Sequence, residues 1–258
     1  MNTHNLQSLK GKNGLILGLA NEHSIAWGCA QLAHAQGAQL LTTCLNDKAL
    51  RFVEPLTQPL GIPVMPCNVE EAGSLEQVVA HAVAQMGSLD FVIHSIAWAP
   101  LEDLHGQVID SSSTGFARAM EVSCHSFATL AKLCAPHMPR GGSMLTMSYL
   151  GADEAVPHYG LMGPVKAALE SLVRYMASEL GGDGIRVHAV SPGPIPTRAA
   201  SGIDSFDELM RDAIARAPLK RLVTLDEVAN LTTFLCSDLS SGMTGQTIYV
   251  DGGCHSIA

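Results

Sequence analysis

The stretch GLILGLANEHSIAWG, residues 14–28, indicates the fold of this chain. Its first six residues are a short apolar run of the kind that forms a buried strand. A glycine-containing turn follows. SIAWGCAQLAHAQG, residues 24–37, then has apolar residues at helical spacing and ends in a glycine suited to a helix C-cap. A strand that turns through glycine into a helix is the first part of a βαβ unit.

The turn between this strand and helix suits a phosphate, although the usual G-x-G-x-x-G pattern is absent. Gly18 lets the chain turn closely, and Ser24 is placed to cap the helix, whose free N–H groups would face a pyrophosphate. Gly28 would let the helix pack close to the sheet. The alternative is a glycine-rich turn capped by serine without any ligand, and the turn alone does not separate the two.

Apolar strands and helical segments alternate along the rest of the chain. Short strands separated by helices form βαβ units, whose right-handed crossovers build a parallel sheet covered on both faces. We therefore predict an α/β fold with a doubly wound parallel sheet of Rossmann type, flanked by helices on both faces. No linker or internal repeat is visible, so residues 1–258 are predicted to form a single domain. Strands are predicted at 38–45, 62–69, 89–97, 141–150, 184–194 and 245–253, and helices at 74–87, 112–137, 159–181 and 225–236.

The composition excludes several classes of protein. With 47% apolar and 15% charged residues, the chain can bury a sizeable core and is not a disordered segment. The net charge of −9 comes without any cluster of Lys or Arg, so no nucleic-acid partner is expected. The seven cysteines form no CxxC pair and predict free thiols, and the 11 histidines show no metal-ligand spacing. No signal-peptide core or membrane-length apolar run occurs, so a cytoplasmic location without membrane association is expected.

Dinucleotides bind at the carboxyl ends of the strands in such a sheet. Asn68, after the third strand, could bond an adenine edge, and the small residues of HSIAWAP, 94–100, would let a ribose approach. No arginine follows the second strand directly and Leu45 is neutral, which favours NAD(H) over NADP(H), although Lys48 and Arg51 are near. The loops expected to carry function are 18–24, 95–110, 149–158 and 191–218.

The most specific motif is SYLGADEAVPHYGLMGPVKAALE, residues 148–170. It contains Tyr149, Tyr159 and Lys166 in the spacing Tyr-x9-Tyr-x6-Lys. On a helix, seven residues bring Tyr159 and Lys166 back to one face, about two turns apart. Pro164 lies between them, and proline in a helix interior removes a hydrogen bond. We therefore predict a helix that begins near Pro157 and is kinked or loosened around 160–164.

This motif resembles the enoyl-acyl-carrier-protein reductases, the divergent branch of the short-chain dehydrogenase/reductase superfamily. Ordinary members of the superfamily use Tyr-x3-Lys, which is impossible here because Gly163 stands four residues after Tyr159. The resemblance continues in order through GLANEHSIAWG, HSIAWAP, VSPGPIPTRAASGI and FLCSDLSSGMTGQTIYVDGG, and covers about residues 10–255.

The resemblance implies a reaction in which NADH gives a hydride to Cβ of a trans-2-enoyl thioester, and protonation at Cα completes the reduction. It implies that Tyr159 donates to the thioester oxygen and that Lys166 binds the nicotinamide ribose. Tyr149 would shape the pocket or assist proton delivery. It further implies NADH rather than NADPH, an acyl-carrier protein bearing the substrate, a homotetramer, and a substrate-covering loop at about 193–218. The implied cofactor-binding residues are Gly18, Ser24, Ile25, Leu45, Asn68, Val69, Ser95, Ile96, Ala97, Lys166, Ile195 and Thr197. The implied substrate-binding residues are Ala97, Trp98, Tyr149, Tyr159, Met162, Ile203 and Phe206.

Four residues depart from what is frequent in the family. Leu45 stands in place of Gln, Asn68 in place of Asp, Gly160 in place of Asn and Trp98 in place of Phe. They affect the expected substrate preference more than the reaction class. An enoyl reductase of a specialised, polyketide-like pathway therefore stays open. A short-chain carbonyl reductase and a non-catalytic nucleotide sensor are two further candidate functions. The absent Tyr-x3-Lys argues against the former, and the intact Tyr159 and Lys166 argue against the latter.

Overall fold

A computed structural model describes residues 8–197, 200–203 and 205–257. Its centre is one sheet of seven parallel strands in the order β3-β2-β1-β4-β5-β6-β7, which confirms the predicted doubly wound fold. The chain builds outward from β1 to one edge, then crosses to β4 and builds to the other. The strands are β1 Asn13–Leu19, β2 Gln39–Cys44, β3 Val64–Pro66, β4 Phe91–His94, β5 Gly142–Met147, β6 Ile185–Pro192 and β7 Gln246–Val250.

The helices lie on both faces of this sheet. The predicted helical segments at 24–37, 74–87, 112–137 and 225–236 are present with small shifts at their ends, and a π-helical stretch at Glu121–His125 joins two α-helices in the third. Three further helices were not predicted. The helices are α1 Ile25–Ala35, α2 Asp47–Thr57, α3 Ser74–Met86, α4 Leu101–Leu104, α5 Ser113–Met120, α6 Ser126–Cys134, α7 Met162–Leu180, α8 Phe206–Arg216 and α9 Leu225–Cys236.

Alternation along β1 divides the core in two. Leu15 and Leu17 pack on one face with residues of α3, α6 and α7, while Ile16 packs on the other with α1 and α9. A register shift between Ile16 and Leu19 brings Leu19 to the same face as Ile16. Both faces are apolar because each is covered by helices. All seven cysteines are buried and free, as predicted. No helix of the described residues is long and apolar enough to cross a membrane.

The prediction of a kinked helix around Pro164 was wrong. Helix α7 begins at Met162, so Pro164 lies in its first turn, where a missing N–H costs no intrahelical bond. Tyr159 precedes the helix on a turn, and the same-face argument for Tyr159 and Lys166 therefore does not apply. Gly160 shapes this turn with a φ of +52°, and a Cβ there would lie 2.7 Å from the carbonyl oxygen of Leu104.

Candidate active site

A cavity of about 210 Å³ opens at the carboxyl ends of β1, β4, β5 and β6. This is the edge where a doubly wound sheet binds its ligand. Lys166 is the only charged residue among its described lining residues, and most of the others are apolar. The lining includes these predicted site residues: Gly18, Ser24, Ile25, Ser95, Ile96, Ala97, Trp98, Tyr149, Tyr159, Met162, Lys166, Ile195, Thr197, Ile203 and Phe206.

The remaining three predicted residues do not line the cavity. Leu45 follows β2 with 57% of its surface exposed. Asn68 follows β3, where its side chain bonds locally: Oδ1 accepts from the Glu70 N–H and Nδ2 donates to Glu71. Val69 packs against the core from a half-buried position. All three stand on the β3-β2 side of the switch point, beyond the described cavity.

The turn between β1 and α1 lines the cavity and is built by Gly18 and Ser24. Gly18 has a φ of +97°, and a Cβ there would lie 2.1 Å from the carbonyl oxygen of Ser95, so no other residue fits without a shift. Ser24 stands at the N-cap of α1, but its hydroxyl donates to the carbonyl of Asn21 at 2.7 Å and makes no cap bond. The predicted capping role was therefore wrong. Ser24 closes the turn instead and leaves the first N–H groups of α1 without a side-chain acceptor.

Lys166 lies in the second turn of α7 and is almost completely buried. Its Nζ donates to the carbonyl oxygen of Met147, the last residue of β5, at 2.7 Å. Burial lowers the pKa of Lys166 to about 8, while Cys124 and Glu170 oppose the shift. The side chain is thus mainly an ammonium at neutral pH. No second acceptor lies within bonding distance among the described groups, so two donors face the cavity.

Tyr149 and Tyr159 form an aromatic pair at the cavity wall, with ring centroids 4.6 Å apart and an angle of 57° between the planes. Burial raises the pKa of Tyr159 well above its ordinary value, and the neighbouring Tyr149 raises it further. Burial also raises the pKa of Tyr149. Both hydroxyls are therefore protonated at neutral pH. Neither donates to a protein group in the described part of the chain, so either is available to a ligand.

A buried polar network beneath the cavity was missed in the sequence. His94, at the end of β4, bonds through Nε2 to Ser126 at 2.8 Å and through Nδ1 to Thr146 at 3.2 Å. Because the Ser126 hydroxyl donates to Val122, it must accept from His94 Nε2. Burial, with Lys166 as the second cause, lowers the pKa of His94 to about 3 and keeps it neutral. The signal in the sequence was a histidine that ends a fully apolar strand, FVIH.

A second buried group lies beside Lys166. The hydroxyl of Ser148 donates to Glu170, one turn along α7 from Lys166. Burial raises the pKa of Glu170. No group of three His, Cys, Asp or Glu side chains in residues 8–197, 200–203 and 205–257 is arranged to hold a metal ion. The floor of the cavity, formed by Tyr149, Tyr159 and Lys166, therefore offers neutral hydroxyl donors and one ammonium.

The outer side of the cavity is formed by the segment after β6. Ile203, Phe206 and Leu209 line it, so the predicted covering loop contains helix α8 rather than irregular chain alone. Positions 198, 199 and 204 of the predicted loop lie outside the described residues. His105 bonds through Nε2 to the carbonyl oxygen of Gly202 at 2.7 Å and joins this segment to the end of α4.

Known proteins are similar to this chain over nearly its whole length. A family model described as enoyl-(acyl carrier protein) reductase matches residues 18–255. The NADH enoyl-acyl-carrier-protein reductase 1 of Rhizobium meliloti (strain 1021) is 44% identical over 250 residues, which cover 96% of this chain and 92% of that protein.

Solved structures are similar in the same way. The Anaplasma phagocytophilum reductase in complex with NAD has a TM-score of 0.93 and 42% identity, and covers 97% of this chain and 96% of its own. The Bacillus cereus enoyl-acyl carrier protein reductase with NADP+ and indole naphthyridinone has a TM-score of 0.94 and 39% identity, and covers 97% and 98%.

Proposed function

The chain belongs to the enoyl-acyl-carrier-protein reductase family, and on that premise we propose that it reduces trans-2-enoyl thioesters with NADH in fatty-acid synthesis. In this reaction a hydride reaches Cβ of the substrate, a proton reaches Cα, and NADH leaves as NAD+. The observation that carries the proposal is a protonated tyrosine and a buried ammonium in one apolar cavity at the switch point of the sheet.

The residues of the inner cavity fit a nicotinamide dinucleotide. Gly18 lets the chain approach Ser95 closely enough that a Cβ would fill the space, and the uncapped start of α1 offers N–H groups to a pyrophosphate. The free ammonium donors of Lys166 suit vicinal ribose hydroxyls. The cofactor supplies the hydride when bound. Ile195 and Thr197 also line this cavity and would hold the nicotinamide carboxamide.

Tyr159 is the proposed electrophilic group. Charge develops on the thioester oxygen as the hydride arrives, and a donor held at that oxygen stabilises it. The raised pKa of Tyr159 keeps its proton in place, so the hydroxyl acts as a hydrogen-bond donor. The ammonium of Lys166 adds positive potential to the same low-dielectric cavity. Tyr149 contacts the ring of Tyr159 and fixes its orientation.

The apolar side of the cavity is the proposed acyl site. Met162, Ile203 and Phe206 line it, and a hydrocarbon chain bound there would exclude water from the forming enolate. An acyl-carrier protein is the proposed bearer of the thioester. An enoyl reductase of a specialised pathway would use the same floor with a different carrier, so only the carrier and chain length separate the two.

The cofactor choice has a local basis. Leu45 after β2 cannot pair with a 2′-phosphate, and no arginine occupies that strand end. Lys48 lies on the following helix, so we expect a preference for NADH over NADPH rather than exclusion of NADPH.

We also expect a homotetramer in the cytoplasm. Tyr175 on α7, with 68% of its surface exposed, suits a helix face covered by a second subunit. Light scattering measures the oligomer.

The test mixes the protein with NADH or NADPH and with crotonyl or longer trans-2-enoyl thioesters on carrier protein or coenzyme A, and follows nucleotide absorbance. Turnover with NADH in preference to NADPH is expected. A parallel reaction with a ketone substrate tests the carbonyl-reductase alternative, for which no turnover is expected. If no enoyl thioester oxidises either nucleotide, the proposal is refuted.

A further inference from the structure

Trp98 forms one wall of the cavity at its exposed rim. The indole lines the cavity and 38% of the residue surface is exposed. Its backbone is fixed by one hydroxyl: the Trp98 N–H donates to Ser123 Oγ at 2.8 Å, and that hydroxyl donates to the Trp98 carbonyl at 2.8 Å. With the backbone held, the position of the wall depends on what holds the indole itself.

The indole is held by Arg118 on α5. The guanidinium carbon lies 4.2 Å from the ring centroid, in cation–π contact. The guanidinium is itself fixed, because Nε and Nη2 donate to the two carboxylate oxygens of Glu70 at 2.5 and 2.9 Å. This two-point pairing sets the plane of the guanidinium as well as its position. Glu70 follows β3, so the wall is connected to a different strand end from the one that carries Trp98.

We propose that Arg118 and Glu70 are positioning residues that hold Trp98 as a fixed wall of the acyl site and thereby limit the acyl chain length that the enzyme accepts. The inference rests on the proposed function, since it assigns the bound chain to an enoyl thioester. Arg118 and Glu70 do not line the cavity. They act on the substrate through the indole alone.

The surroundings of Trp98 indicate hydrocarbon rather than a polar ligand. Ala97 and Ala99 flank it in sequence, and Leu104 and Phe206 line the same cavity. Among the described lining residues the one charged side chain, Lys166, lies at the buried floor. Trp98 is exposed at the rim, whereas Tyr159 is buried. A short acyl chain therefore ends before the indole, whereas a long one must displace it. Releasing the indole should help long chains and leave short ones unchanged.

The pair of Arg118 and Glu70 is expected to position Trp98 rather than to stabilise the fold. Arg118 and Glu70 are partly exposed, and such pairs add little to the free energy of unfolding. The variants Arg118→Met and Glu70→Gln should therefore fold. Arg140→Met is the matched control, because Arg140 is also an exposed arginine on a carboxylate, Asp90, but lies at the amino ends of β4 and β5, away from the cavity.

The experiment compares kcat/KM for dodecenoyl and crotonyl thioesters on one carrier with NADH. In Arg118→Met and in Glu70→Gln the ratio is expected to rise about tenfold, the size of effect that pocket contacts produce in hydrophobic discrimination. Arg140→Met is expected to keep the wild-type ratio. An unchanged ratio in Arg118→Met, or a shift toward the short chain, overturns the inference.

Fluorescence gives a readout independent of turnover. The chain has two tryptophans, Trp27 and Trp98, so Trp27→Phe leaves Trp98 as the only tryptophan, which is excited at a wavelength that the four tyrosines do not absorb. Removing Arg118 in that background should increase quenching by acrylamide and lower the anisotropy, and removing Arg140 should not. Unchanged fluorescence contradicts a positioning role. An inactive wild type overturns the proposed function together with this inference, whereas an active wild type with an unchanged ratio overturns the inference alone.

Discussion

The floor and the cover of the cavity are built in opposite ways. Tyr159 and Lys166 on the floor, and His94 beneath it, are each less than a tenth exposed. The side chains of His94 and Lys166 also bond to neighbouring strands and helices. The cover, residues 200–217, is joined to the rest by partly exposed contacts such as the one between Arg216 and Glu154. Buried and satisfied groups resist local opening, whereas exposed pairs break at little cost. We therefore expect the floor to fix the chemical geometry and the cover to admit the substrate.

The largest expected effect comes from the floor donor. Tyr159→Phe removes one hydroxyl and keeps the ring packed on Tyr149, so kcat should fall on the order of 10²-fold while the dissociation constant for NADH is unchanged. Steady-state kinetics with crotonyl thioester and fluorescence titration with NADH measure the two. Tyr249→Phe is the control, because the Tyr249 hydroxyl bonds Asp153 outside the cavity. A kcat for Tyr159→Phe equal to that of the control would contradict the assignment.

Removing the floor cation should separate binding from folding. Lys166→Met deletes charged donors proposed to bind the ribose, so the dissociation constant for NADH should rise about 10- to 100-fold. The free energy of unfolding without cofactor should not fall at pH 7, because a buried ammonium with one carbonyl acceptor costs desolvation. Titration with NADH and urea denaturation test both points against the exposed Lys132→Met. Unaltered NADH affinity would show that Lys166 does not bind the cofactor.

The pH dependence of NADH affinity and of stability tests the role of Lys166 in the wild-type protein. The pKa of Lys166 lies at about 8 in the folded chain without cofactor, against 10.5 ordinarily. The ammonium is the form proposed to bind NADH, so NADH affinity should be constant below about pH 8 and weaken above it. Stability has the opposite sign: the buried charge costs on the order of 3 kcal/mol below pH 8, and this cost fades as pH rises from about 8 toward 10.5. In Lys166→Met the pH dependence of NADH affinity and that of stability above pH 8 should both disappear. If they remain, another group causes them.

The smallest effect is expected in the cover. Arg216 ends α8 and donates to Glu154 at 2.9 Å and to the carbonyl of Ile257 at 3.1 Å, which ties the cover to two other segments. Arg216→Met should raise KM for the enoyl thioester about threefold with kcat unchanged, and lower the free energy of unfolding by less than about 1 kcal/mol.

Limited proteolysis provides the structural readout for the cover, since cleavage within 200–217 should be faster in Arg216→Met. Arg211→Met is the matched control, because Arg211 pairs with Glu208 inside the same helix and joins no second element. Equal cleavage rates in the two variants, or a large loss of kcat in Arg216→Met, would break the contrast between floor and cover.

The sequence predicted which residues form the floor better than it predicted the local geometry of the turns that hold them. Periodicity and glycine turns gave the sheet, because buried parallel strands are apolar runs whatever their partners. The resemblance indicated Tyr159, Lys166 and the glycine turn, and the fold brings these together. The turn at Tyr159 could not be predicted from the period of a helix, because the start of α7 depends on Gly160 and its contact with Leu104. The Ser24 hydroxyl donates backward to the Asn21 carbonyl and accepts no bond from an N–H of α1, a choice between two local partners that spacing cannot decide.

Contacts between segments that are distant in sequence could not be predicted, because no local pattern contains them. The pairing of Glu70 with Arg118 joins residues 48 positions apart, and that of Glu154 with Arg216 joins residues 62 apart. His94 and Ser126 likewise meet only after the sheet and α6 have packed. These depend on the tertiary arrangement, and they are the contacts that fix the wall, the cover and the buried network.

Hydride transfer to carbon tests the central claim most directly. NADH deuterated at both C4 positions is incubated with the protein and crotonyl thioester, and the product is examined by mass spectrometry and NMR. We predict a butyryl thioester with one deuterium at Cβ and a solvent proton at Cα. Recovery of unreduced crotonyl thioester, with deuterium found only on the carbinol carbon of an alcohol formed from a ketone offered in the same mixture, would contradict the account.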